Sequence, residues 1–137
     1  MWWIYALLSA FFASLTAIFG KIGVANVNSD LAMAIRTIVI VVVAWGIVMA
    51  RGEFKGIHEL SKHSLLFLFL SGLATGLSWI FYYKALQIGK VSQVAPVDKL
   101  SVALTIILSV IFLKEVLTLK TAIGAILIMV GTFVLIS

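Results

Sequence analysis

Five runs of about twenty apolar residues, approximately 3–25, 30–50, 64–86, 94–113 and 117–136, leave this chain of 137 residues few ways to fold. As α-helix each run is roughly 30 Å long, the thickness of the hydrocarbon core of a bilayer. Helix is the form required there, because hydrocarbon supplies no water to unpaired backbone groups. A small soluble core cannot absorb so much apolar surface. Hydrophobic residues make up 64% of the chain and charged residues 11%, against roughly half and a quarter in an ordinary soluble domain. The chain therefore reads as an all-α, polytopic membrane protein, a bundle of five transmembrane helices. The first run has no Lys or Arg before it and exceeds a usual signal core, so it reads as a retained span.

The connections are short, and each carries its own signals. Asn26 to Ser29 turns the first helix into the second, with Ser29 or Asp30 placed as N-cap. Arg51 to His63 is the one sizeable polar loop. Gly89 is placed to end the third helix, and Ser92 to cap the fourth, which puts Pro96 near that helix's first turn. Trp2, Trp3 and Tyr5, and again Trp79, Tyr82 and Tyr83, have the look of interfacial belts.

Several chemistries drop out on composition. There is no cysteine, hence no thiol nucleophile and no Cys-ligated metal. His58 and His63 lie in the polar loop at a spacing that helical metal sites do not use. No Gly-rich phosphate loop is present to support an ATPase. The net charge of +5 comes from cations set between or within apolar runs, so it does not form a nucleic-acid stripe. No enzyme, metal or cofactor is expected.

Span arithmetic then separates charges at the membrane edge from charges within it. Lys21 and Lys84 each follow twenty uncharged residues and can sit at an interface. Between Arg36 and Arg51, and between Lys99 and Lys114, there are fourteen residues, about 21 Å of helix against a core of about 30 Å. Arg36 and the Asp98-Lys99 pair therefore lie at hydrocarbon depth or snorkel hard toward its edge. Because the spans alternate in direction, Lys21, Asp30, Arg36, Lys84, Asp98 and Lys99 share one half of the membrane, with a net charge of +2. Ionisable groups inside a membrane mark a pathway or pair to hold a bundle. Both roles remain open for Arg36 and Asp98 at this level.

Asp98 heads a polar stripe with Ser101, Thr105 and Ser109 at helical steps. Ser71, Thr75, Ser78 and Tyr82 form another in the third helix, and Ser9, Ala13, Thr16 and Gly20 a small-residue stripe in the first. Serine and threonine often bond back to their own helix, and small residues permit close packing. The charge on Asp98 sets its stripe apart. Trp79 and Tyr83 are placed to stack on a ligand or to sit in the belt.

Together these residues resemble a known family. Ser71-Gly-Leu-Ala-Thr-Gly-Leu-Ser-Trp79, Phe81-Tyr-Tyr-Lys-Ala-Leu86 with Gly89, Val94-Ala-Pro-Val-Asp-Lys-Leu-Ser101, Phe112-Leu-Lys-Glu115, and Gly124 to Gly131 resemble the EamA domain of the drug/metabolite transporter superfamily. Gly20-Lys21 and Ala34-Ile-Arg36-Thr37 match its first two helices. The resemblance covers essentially the whole chain, 1–137, as one domain. It is similar to the half-size, five-helix group of bacteria and archaea, in which the Asp-Lys of the fourth helix recurs. It implies one half of an inverted-repeat transporter, with the third and fourth helices lining a central cavity. The first helix lacks the acidic residue on which the small multidrug branch relies, so proton-coupled export of lipophilic cations is not implied.

The resemblance and the charges together lead to an expected function. It is secondary transport of a small polar metabolite, of amino acid or organic acid type, by alternating access. Arg36, Trp79, Tyr83, Asp98, Lys99, Ser101 and Thr105 are the candidate substrate-binding residues. The alternatives are a non-transporting membrane scaffold or regulatory subunit, and a flippase for a lipid-linked substrate. One half of an inverted repeat needs a second, oppositely facing half, which makes an antiparallel homodimer the expected assembly, against a parallel dimer or a heterodimer. Five cations (Arg51, Lys55, Lys62, Lys114, Lys120) face three (Lys21, Lys84, Lys90) across the membrane, or five with Arg36 and Lys99. That is a weak orientation bias. The remaining partners are membrane lipids and the substrate, and the location is the prokaryotic cytoplasmic membrane.

Overall fold

A computed structural model describes residues 1–137. Six helices follow one another: α1 (Trp2–Val24), α2 (Ser29–Ala50), α3 (Lys62–Ile88), α4 (Val91–Asp98), α5 (Leu100–Phe112) and α6 (Leu119–Ile136). Taking α4 and α5 as one interrupted span, the chain has five helices long and apolar enough to cross a membrane. They coincide with the five apolar runs of the sequence, shifted by a few residues at their ends. The protein is a multi-pass, all-helical membrane protein. Its large apolar side chains, such as Phe67, Phe69, Val42 and Leu127, are more than half exposed, which a bilayer accommodates and water does not.

Two compact units make up the chain: Phe19–Gln87, and Met1–Ile18 with Ile88–Ser137. In the first, burial concentrates where α1 and α3 end and α2 begins. Val24 and Leu86 are fully buried there, with Tyr83 and Ser29 nearly so. The entry to α2 is capped by Asn28, whose Oδ1 accepts the N–H of Asp30 at 2.9 Å and of Leu31 at 3.2 Å. The cap is thus one residue earlier than the sequence suggested, and Ser29 opens the helix instead. Asp30 in the first turn suits the positive end of the helix dipole.

The ends of α1 and α3 are tied together reciprocally. Lys21 Nζ donates to the carbonyl oxygen of Leu86 and, at 3.5 Å, to that of Gln87. In return Gln87 Nε2 donates to the carbonyl oxygens of Val24 at 3.3 Å and Val27 at 2.8 Å. Helix C-termini carry carbonyls with no partner inside the helix, and each of these two ends supplies the other's donor. The 51–61 connection is partly ordered as a short 3-10 helix, Glu53–Glu59, entered through Gly52 at φ 69°. Only glycine takes that left-handed conformation without steric cost. Phe54 returns onto α2, its ring centroid 5.9 Å from that of Trp45. His63 lies in the first turn of α3 rather than in the loop, against Phe67.

In the other unit α6 packs against α4 and α5. Ala103, Ala125 and Thr132 are the buried residues of α5 and α6, and their small side chains let the helices approach. The fourth span begins at Val91 with Lys90 as N-cap, so Ser92 is helical and Pro96 lies inside the helix rather than in its first turn. Proline has no N–H to donate and its ring collides with the carbonyl four residues back. The helix breaks at Lys99, directly after Asp98, and resumes at Leu100. Thr132 Oγ1 of α6 donates to the Pro96 carbonyl at 3.2 Å. At its far end α5 stops at Phe112; Lys114 takes a left-handed φ of 55° and the Glu115 N–H reaches the Ser109 carbonyl at 3.3 Å.

Candidate functional site

Arg36 is the eighth residue of α2, a largely apolar helix that offers its charge no partner of its own. Its partners are rings on α3. The guanidinium carbon lies 4.2 Å from the centroid of the Trp79 ring and 5.4 Å from that of Tyr83. Trp79 and Tyr83 are four residues apart and so share one helix face. A cation over an aromatic face is held by the ring quadrupole, more strongly as water is removed. Tyr83 is 4% exposed. It is therefore a buried ring that faces a cation.

One atom of this arrangement is left over. Arg36 Nη1 is buried and has no hydrogen-bond partner. Ring faces satisfy charge but accept no directed hydrogen bond of normal strength, and a buried guanidinium nitrogen without an acceptor is costly. The guanidinium fork matches a carboxylate or phosphate in both geometry and charge. The residues present thus form an aromatic-backed cation with one unpartnered donor nitrogen.

The remaining candidates lie in the other unit. Asp98 ends α4 and pairs with its neighbour, Lys99 Nζ to Asp98 Oδ2 at 3.3 Å, with the two side chains 57% (Lys99) and 37% (Asp98) exposed. Both stand at the break in the fourth span. Ser101 and Thr105 follow on α5 and are exposed. Thr105 lines a shallow, mostly apolar depression of about 230 Å³ with Leu108, Ser109, Phe112 and Leu113. Ser109 Oγ donates to its own helix at Ile106, as expected for a hydroxyl in an apolar span. In α3, Thr75 does the same to Ser71.

Two contributors escape a reading of the sequence. Gln87 gave no signal, because its partners Val24 and Val27 lie about sixty residues away in the chain. Lys21 was placed at an interface, and its position at the end of α1 was the available clue to its role on the α3 carbonyls.

Residues 1–137 match the EamA-like transporter family over their whole length. A Sinorhizobium sp protein described as an uncharacterized transporter in the cobO 3′ region is 48% identical over 134 residues, covering 98% of this chain and 95% of that protein. An uncharacterized protein of Methanocaldococcus jannaschii is 35% identical over 83 residues, 61% of each chain. No solved structure matches the chain. With five apolar spans, a whole-length family match and a relative of nearly equal size described as a transporter, this chain belongs to the EamA-like transporter family and is a multi-pass membrane transporter.

Proposed function

We propose that the protein is a secondary carrier of a small metabolite bearing a carboxylate, an amino or organic acid, which it moves by alternating access without ATP. The observation that carries this reading is Arg36. A cation backed by Trp79 and Tyr83, with a buried nitrogen that has no acceptor, has the chemistry to receive an anionic oxygen. In the other unit, Asp98 and Lys99 set a carboxylate beside an ammonium between α4 and α5. Ser101 and Thr105 continue the polar face along α5. A homodimer of oppositely inserted copies in a prokaryotic cytoplasmic membrane supplies the second half that such a carrier needs.

The test is flux. Purified protein in liposomes is offered a panel of labelled amino and organic acids, and exchange of at least one is expected. Arg36→Gln removes a charge-assisted bond of about 1.5–3 kcal/mol, so kcat/KM falls by roughly 10- to 100-fold. Asp98→Asn abolishes flux while the assembly survives. No flux across the whole panel from intact, assembled protein would support the scaffold alternative instead.

A further inference from the structure

Gly20 differs from the other helical glycines. At Gly23, Gly46, Gly72, Gly76, Gly124 and Gly131 an added Cβ would meet nothing within 4 Å, whereas at Gly20 it would stand 3.3 Å from Tyr83 Oη and 3.3 Å from Leu86 Cδ1. The α1 backbone therefore forms a notch into which the end of the Tyr83 ring fits. Both neighbours are enclosed, Leu86 fully buried and Tyr83 4% exposed, so a Cβ there presses on packed side chains. The helices do not easily part at this level, because the bonds from Lys21 and Gln87 join α1 to α3 immediately beside it.

We propose that Gly20 is a positioning residue for the Arg36 site: the missing side chain lets Tyr83 lie where its ring faces the guanidinium. The chain of contact is short. A Cβ at residue 20 would meet the hydroxyl end of the ring, and the ring centroid is 5.4 Å from Arg36 Cζ. A methyl group at residue 20 displaces the tyrosine by a few tenths of an ångström, and the guanidinium follows the rings that hold it. This inference takes the Arg36 site of the proposed function as its setting and adds a residue that touches no ligand.

The chain has two arginines, Arg36 and Arg51, so protein labelled with [15N]arginine in lipid nanodiscs gives two side-chain Nε–H signals, assigned with Arg51→Lys. Ring currents from Trp79 and Tyr83 make the Arg36 signal a reporter of the rings' positions without any ligand. Gly20→Ala is expected to move the Arg36 signal by more than its linewidth. In a Tyr83→Phe background, where the hydroxyl in the notch is gone, the same substitution moves it by less than half as much. An unmoved Arg36 signal in Gly20→Ala overturns the proposal, as does an equal displacement in both backgrounds. Should Gly20→Ala alone fail to assemble, recovery of assembly by Tyr83→Phe supports the same contact, and failure of both variants overturns it. Addition of acetate, succinate or glutamate to the unsubstituted protein separates this result from the transport reading. If the Arg36 signal ignores all three, anion binding at Arg36 fails while the Gly20 comparison is unaffected.

Discussion

Arg36 brings into an apolar helix a charge that a bilayer excludes at a cost of several kcal/mol, and two rings of α3 offset part of that cost. The share of each ring follows from distance: Trp79 at 4.2 Å is the principal partner and Tyr83 at 5.4 Å the second. Trp79→Leu is therefore expected to lower stability by about 1–2 kcal/mol, seen as a fall in unfolding temperature in nanodiscs, while Tyr83→Phe keeps a ring in place and changes it little. Arg36→Lys retains the charge but loses the planar fork that both stacks and donates in pairs. Substrate affinity in that variant should drop at least tenfold. Recovery of near-normal affinity in Arg36→Lys would mean that the site reads charge alone.

At the scale of the helices, the fourth span carries the main irregularity. Pro96 inside α4 costs about 3 kcal/mol relative to a regular helix, so Pro96→Ala is expected to raise the unfolding temperature and to slow transport if the break at Lys99 must flex. A lower unfolding temperature would show that the packing of α6, through Thr132 on the Pro96 carbonyl, imposes the bend. The end of α5 gives a second test. Lys114 holds a left-handed φ of 55°, which costs a non-glycine residue about 1–2 kcal/mol, so Lys114→Gly should stabilise the protein by up to about 1 kcal/mol after the entropy of glycine is counted. Gln87→Leu acts in the opposite direction. It strips the donor from the Val24 and Val27 carbonyls and lowers stability by about 1 kcal/mol.

These elements also show what a sequence discloses and what it hides. The spans were legible because bilayer thickness sets helix length, and all five recur as long apolar helices. The helix starts were not: the first cap fell on Asn28 instead of Ser29 or Asp30, and the fourth helix began at Val91, early enough to place Pro96 inside it. Caps compete over single residues, and neighbouring Asn, Ser and Asp are nearly equal in strength. Arg36, Trp79 and Tyr83 all stand out as candidates in the sequence, but that the two rings hold the guanidinium does not, because only packing brings α2 and α3 together. Gly20 looked like one member of a small-residue stripe. Its distinct place emerges from what stands opposite it.

For the molecule as a whole, orientation in the membrane is the decisive property. The near-even division of cations between the two faces fits a chain that inserts both ways, and the absence of cysteine from the sequence makes this directly measurable. A lone cysteine introduced as Ser61→Cys, in the exposed connection before α3, is expected to react with an impermeant reagent from both sides of the membrane. Reaction from one side only would remove the antiparallel homodimer and leave a parallel dimer or a distinct partner.

The reciprocal bonds between the ends of α1 and α3 carry a consequence in time. Lys21 and Leu86 are 65 residues apart in the chain, so α1 is made, and in the membrane, well before its counterpart exists. Until α3 arrives, Lys21 has no α3 carbonyl to hold, and the last carbonyls of α1 lack Gln87. The first helix is thus completed by a segment synthesised two helices later. A ribosome-bound chain halted before Leu86 should leave Lys21 more reactive toward amine reagents than one released beyond α3.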